Sequence, residues 1–299
     1  MISENSHIGI LPLLGAKCQS YYQLMKFRLS ALVSFSAGMG FMLAPEGTGN
    51  WLSLAVFSLF GFMVIVSSNI INQIIEKDSD ALMSRTLNRP LPTGRVLPGE
   101  AALISLIFGV AGVSGLYYFF NINAALLSFL SLILYGFVYT PLKTKTPAAV
   151  FVGAVPGALP PMIGWLAATN KFGLEPGILF AIQFFWQFPH YWAIAWVLDE
   201  DYKKANIRLL PANGQKDTDT AFTIMIYTLF LLPLGLMPMV LKMTGVISAV
   251  IALVCGVLFL AQTFYLMRVC TNKAALRIMF GSFIYLPVVQ IAFVIDKLQ

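Results

Sequence analysis

Charge is scarce in this 299-residue chain. Asp, Glu, Lys and Arg together make up 11% of it, against about 25% in an ordinary globular domain. So few charges cannot cover the surface of a soluble domain of this size, which excludes an ordinary cytosolic enzyme, a disordered chain and a DNA-binding domain. Cysteine is also sparse. Cys18, Cys255 and Cys270 form no C-x-x-C pair, so neither a disulfide framework nor a structural zinc site is expected. The first 26 residues lack the apolar core of a signal peptide. They carry two lysines and no arginine, which argues against a mitochondrial transit peptide.

What the chain has instead is apolar sequence, 58% of it hydrophobic. Nine runs are long enough to be spans at roughly 20 residues each: about 29–45, 51–75, 100–120, 123–140, 147–168, 177–197, 220–241, 245–267 and 276–295. Short breaks with turn residues separate them, as at Pro45-Glu46-Gly47 and Asn121-Ile122-Asn123. The runs are apolar on all sides, without the period of two that a membrane barrel needs. Helices are then the structure that satisfies the backbone in lipid. The expected fold is an all-α polytopic integral membrane bundle of about nine transmembrane helices. Residues 1–26 are expected as an N-terminal tail and 27–299 as a single transmembrane domain.

The net charge of +6 does not imply nucleic acid, because the basic residues lie between apolar runs and form no single exposed patch. They sort by side. Sixteen of the nineteen Lys and Arg residues fall in the N-terminal segment and the even-numbered connections; Lys171, Lys242 and Lys297 are the exceptions. The positive-inside rule then puts the N-terminus in the cytoplasm.

Two of these connections are richer than topology needs. The first runs from Asn69 to Arg95. Its Asn72, Glu76 and Asp80 recur every four residues, so on a helix each lies about 40° from the last and all three share a face. Polar groups continuing from an apolar span are costly and are functional candidates. Hard oxygen donors grouped in this way suit Mg²⁺, which is held by one or two carboxylates plus substrate phosphates. Arg85, Arg89 and Arg95 follow, and arginine forks suit phosphate oxygens. A metal–diphosphate site and a solvated loop of mixed charge are both compatible with the spacing. The second connection, Asp199 to Pro211, again mixes acids with Lys203, Lys204 and Arg208. Asp199–Lys203 and Glu200–Lys204 read as ordinary i,i+4 pairs, whereas Asp201 has no opposite charge at that spacing. The two loops are expected to face each other and to share a Mg²⁺–diphosphate.

This constellation resembles the UbiA-type superfamily of intramembrane prenyltransferases, whose first motif is N-x-x-x-D-x-x-x-D. Asn72, Glu76 and Asp80 occupy it, with Glu76 departing from the usual Asp. Four further segments resemble the protohaem IX farnesyltransferase (haem O synthase) branch: Arg85–Arg95, Tyr139–Trp165, Gln187–Trp196 and Asp201–Pro211. The resemblance spans 69–211 in the family's order. It implies catalytic cytoplasmic loops at about 76–99 and 198–219, in a bacterial inner membrane. It also implies transfer of farnesyl from farnesyl diphosphate to haem B, with water, to give haem O for haem-copper oxidases. Asn72, Glu76, Asp80 and Asp201 would hold Mg²⁺. Arg85, Arg89, Lys143, Lys145 and Lys204 would face the diphosphate. His190 is the candidate on the haem side, as an iron ligand or a hydrogen-bonding group; a core histidine is the other reading. The implied partners are the two substrates, the bilayer, and a downstream haem-modifying enzyme or oxidase assembly. Two alternatives stand beside this: a superfamily enzyme acting on an aromatic or quinone-precursor acceptor, and an ion-coupled transporter.

Overall fold

The computed structural model describes residues 10–47 and 49–298; residues 1–9 of the expected tail lie outside the described residues. The chain runs through α1 (Ile10–Leu24), α2 (Phe27–Leu43), α3 (Trp51–Ile75), α4 (Lys77–Leu82), α5 (Pro98–Phe119) and α6 (Ile122–Ile133). A wide π-helical segment, Leu134–Tyr139, then leads into α7 (Thr140–Leu142). There follow α8 (Ala149–Thr169), α9 (Leu174–Val197), α10 (Asp199–Lys204), α11 (Thr218–Leu229), α12 (Leu231–Val240), α13 (Val246–Val269) and α14 (Asn272–Ile295). Among the described residues the β pairing is a single antiparallel bridge, Thr244 to Lys297.

Several helix starts are set by side chains that satisfy free amides. Asn50, Asn121 and Asp217 accept from the backbone N–H groups of Ser53, Ala124 and Thr220 at 3.2, 2.9 and 2.9 Å. Each of the nine expected spans coincides with a helix or a collinear pair. Seven of these are long and apolar enough to cross a membrane, so the protein is a multi-pass membrane protein. The two that differ do so for separate reasons. α2 has only 17 residues. α9 has 24, but it carries Gln183, Gln187 and His190, all buried within the bundle.

Proline explains the first of these. Pro160 and Pro161 have no N–H, so the carbonyls one turn back, Pro156 and Gly157, lose their helical partners. Ser131 Oγ donates to the Pro156 carbonyl at 3.2 Å and Gln183 Nε2 to the Gly157 carbonyl at 2.8 Å. Gln183 Oε1 in turn accepts from Ser36 Oγ at 2.5 Å and Gln290 Nε2 at 3.2 Å. One glutamine thereby ties α2, α8, α9 and α14 at a depth where no water would serve. α2 and α8 also cross backbone to backbone. A Cβ on Gly40 would lie 2.0 Å from the Pro161 carbonyl oxygen, and one on Gly164 would lie 2.0 Å from that of Ala37. Small residues at such crossings are the usual device in membranes.

Residues 10–24, expected as tail, form α1. It is too polar to be a span and is held by docking. Leu24 is fully buried beside Val66, Ile70 and Leu91, and Lys17 pairs with Glu100 at 2.8 Å. The bundle's ends differ in charge. Lys297 Nζ donates to the carbonyls of Met42 and Ala44 at 3.2 and 2.5 Å, at the end of α2 opposite Lys26.

Candidate active site

α3 carries Asn72 in its last turn and stops at Ile75. Glu76 (φ −87°, ψ 6°) is the hinge to α4, which carries Asp80. The four-residue ladder survives the bend, because Glu76 N–H donates to the Asn72 carbonyl at 2.9 Å and Asp80 N–H to that of Glu76 at 2.7 Å. Asn72, Glu76 and Asp80 therefore share one face, as their spacing predicts, and all three are buried.

That face lines a cavity of about 600 Å³. Lys143 Nζ lies 2.6 Å from Glu76 Oε1, and Arg89 Nη1 lies 2.6 Å from Asp80 Oδ2. Lys26 Nζ donates to Asn72 Oδ1 at 2.9 Å, and Asn72 Nδ2 donates to Thr140 Oγ1 at 3.1 Å. Arg28 and Arg85 also line the cavity. Burial, reinforced by the charge of Arg89, pulls the Lys26 ammonium down to about 7. Burial works to lower Lys143 too, but Glu76 outweighs it and holds Lys143 above the usual lysine range.

The π-helical segment shapes the opposite wall. Wide turns of this kind recur at functional sites. Here the Thr140 N–H reaches back five residues to the Tyr135 carbonyl, and both Tyr135 and Tyr139 line the cavity. Farther along, His190 Nδ1 is 2.7 Å from Ser282 Oγ, and its ring stacks on Trp186 with centroids 4.7 Å apart. With Nδ1 engaged, Nε2 is the nitrogen left for a ligand. His190, Tyr191, Ile194 and Phe283 make this side of the cavity aromatic and apolar.

The two loops do meet, as expected. Met83 is buried against Ala205 and Ile207. Asp201, expected among the metal ligands, makes contacts of its own to the first loop. Its two oxygens accept from the Ser84 and Arg85 amides at 2.8 and 3.2 Å, and Lys204 lies 3.0 Å away. Burial alone would raise this carboxyl, but the Ser84 amide and Lys204 outweigh it and hold it at about 2. Asp201 is thus a clamp on the backbone that carries Arg85. Lys204 also donates to Ser84 Oγ at 2.6 Å. Neither Asp201, Lys204 nor the exposed Lys145 lines the cavity. Asn72, Glu76, Asp80, Arg85, Arg89, Lys143 and His190 do. In the sequence Lys26 and Arg28 count only toward topology; the available signal is their place at the head of the first span, on the same side as the acidic motif.

The donor set fits a hard divalent cation. Asp80 Oδ1 is buried with no hydrogen-bond partner, and Glu76 and Asn72 bring oxygens to the same face. Among the described residues no group of three or more His, Cys, Asp or Glu side chains forms a metal cluster. Two carboxylates completed by substrate oxygens are what Mg²⁺ commonly uses.

A smaller, narrower space of about 110 Å³ lies beside the cavity, between α2, α3, α6 and α8. It shares Leu29, Tyr135 and Tyr191 with the larger space and is otherwise mostly apolar. A cavity end rich in Lys and Arg thus adjoins a mostly apolar space, with Leu29, Tyr135 and Tyr191 as their common wall.

Residues 31–286 match the model of the UbiA prenyltransferase family. The chain belongs to the UbiA prenyltransferase family. Two relatives named protoheme IX farnesyltransferase are similar over nearly their full lengths. That of Cytophaga hutchinsonii is 56% identical, covering 95% of this chain and 100% of its own. That of Flavobacterium johnsoniae is 43% identical, covering 93% and 94%. Two solved structures share the UbiA fold. One, of a digeranylgeranylglyceryl phosphate synthase, has a TM-score of 0.78 at 20% identity over 94% of this chain and 98% of that one. The other, a UbiA homolog from Archaeoglobus fulgidus bound to GPP and Mg²⁺, has a TM-score of 0.67 at 18% identity over 92% and 99%.

Proposed function

We propose that this UbiA-family protein is a protohaem IX farnesyltransferase. It joins farnesyl diphosphate, haem B and water to give haem O and diphosphate, in the bacterial inner membrane. The observation that carries prenyl transfer is the junction of two spaces: a buried site of acids and cations, and an apolar channel that starts at its wall. The choice of haem B rests on similarity to the relatives with that name.

The residues divide the work. Asn72, Glu76 and Asp80 would hold Mg²⁺, which when bound would neutralise the charge developing on the leaving diphosphate. Lys26, Arg85, Arg89 and Lys143 offer cationic donors to the same oxygens, fixed before the reaction begins. Asp201 and Lys204 position Arg85 by clamping its loop. The allylic C1–O bond breaks, and the diphosphate takes the electron pair. The channel keeps water from the allylic carbon until a vinyl carbon of haem B forms the new C–C bond. Water supplies a hydroxyl to the other vinyl carbon, and a proton is released.

A single transmembrane domain over 27–299, nine spans and a cytoplasmic N-terminus fit the charge asymmetry. In that arrangement the loops at 76–99 and 198–219 face the cytoplasm. A downstream haem-modifying enzyme or oxidase assembly would receive the product.

Purified protein given farnesyl diphosphate, Mg²⁺ and haem B should yield haem O by mass spectrometry. Product from 4-hydroxybenzoate, with none from haem B, would overturn the acceptor and favour an aromatic-acceptor enzyme. The haem-side role of His190 is separable. His190→Ala should weaken haem B binding roughly tenfold, the loss of about one good polar contact, and leave farnesyl diphosphate affinity alone. An absorbance titration checks it, and unchanged affinity and spectrum would return His190 to a packing role.

A further inference from the structure

The channel has a floor, and the helix registers show where it lies. Along α2 its lining runs from Leu29 to Ala37, and along α3 from Asn69 to Phe57. On both helices the later member of each pair is farther from the acids. At 1.5 Å per residue those stretches are about 12 Å and about 18 Å long. Phe57 is the deepest lining residue of α3 and is 1% exposed. Its ring stacks on Phe41 with centroids 5.4 Å apart and meets Phe120 edge-on at 5.7 Å. The three rings brace one another, so the floor is built of side chains that cannot swing aside singly.

We propose that Phe57, backed by Phe41 and Phe120, sets the length of the isoprenoid this protein accepts. This rests on the prenyl-diphosphate reading above. A three-unit chain extends about 14 Å from its reacting carbon, and a four-unit chain about 19 Å. Measured along α3, the first ends short of the Phe57 ring and the second reaches it. Gly61 lies on α3 one turn nearer the site. It lines the same channel, and a Cβ added there meets nothing within 4 Å. A Cβ at 61 therefore meets no neighbour, and a longer side chain built on it would shorten the slot.

The test is competition among geranyl, farnesyl and geranylgeranyl diphosphates, with kcat/KM read for each. Wild-type protein should favour farnesyl. Phe57→Ala and the milder Phe57→Leu should raise the geranylgeranyl-to-farnesyl ratio by about tenfold or more, the scale on which pockets discriminate chain increments. Gly61→Leu should shift preference toward geranyl by a similar factor. Because Gly61→Leu removes no packing and replaces a poor helix former, it keeps the test open if Phe57→Ala does not fold. Folded Phe57→Leu and Gly61→Leu proteins with wild-type length preference would overturn the proposal. Wild-type protein that turns over none of the three diphosphates would instead overturn the underlying prenyltransferase reading.

Discussion

Glu76→Gln and Asp80→Asn should each lower prenyl transfer by about a thousandfold, the loss seen when a group that stabilises developing negative charge is removed. Both carboxylates are buried, at 6% and 1% exposure, so water cannot take their place. Each amide keeps the shape and one acceptor oxygen but loses the negative charge that metal binding requires. The change also leaves Lys143 or Arg89 without its 2.6 Å ionic partner. An uncompensated buried cation costs several kcal/mol, so some loss of stability must be separated from loss of chemistry. The double variant Glu76→Gln, Lys143→Gln does this by removing both charges together. It should regain most of the melting temperature lost by Glu76→Gln and none of the activity. Turnover by mass spectrometry and thermal unfolding in detergent give the two readouts. Wild-type turnover in either single variant would remove these residues from the metal site.

Gly164→Ala should cost stability at or above the top of the 1–3 kcal/mol range typical of overpacking, about 3 kcal/mol or more. The added Cβ would sit 2.0 Å from the Ala37 carbonyl oxygen and 2.6 Å from the Phe41 nitrogen. Both are backbone atoms of α2, so no rotamer change gives relief and the two helices must part. Gly40→Ala meets the same barrier from the other side, at 2.0 Å from the Pro161 carbonyl oxygen. Parting α2 from α8 would also stretch the Ser36–Gln183–Gly157 hydrogen bonds and widen the channel, so activity should fall with stability. Gly177→Ala is the control, since nothing lies within 4 Å of a Cβ there; it should be neutral or slightly stabilising. Thermal melts of the three proteins decide it. A Gly164→Ala protein that melts with wild type would show that the helices do not touch as described.

The long apolar runs made the bundle legible, because lipid leaves the backbone few alternatives. The acid face was legible too, since a four-residue spacing survives the bend at Glu76. Other features were not. α1 lacks a span's hydrophobicity, and its docking through Leu24 depends on residues some forty to seventy positions away. The π-helical turn that presents Tyr135 and Tyr139 has no distinctive period. The cationic lining was only partly readable, because sequence does not tell which of many basic residues converge. It named Arg85, Arg89 and Lys143, which line the cavity, and Lys145, which does not; it passed over Lys26 and Arg28. Asp201 shows the same limit. Its charge pattern marked it as unusual, yet only the fold reveals that its partners are the amides of Ser84 and Arg85.

The pairing of Glu76 with Lys143 and of Asp80 with Arg89 bears on how the protein is made. A buried acid pair with no resident counter-charge would repel itself during insertion, and the nascent bundle would wait on a divalent ion to close. Here the counter-charges are encoded in the chain. Folding need not then wait on metal supply: a chain that carries its own counter-charges would reach its final shape before any divalent ion arrives.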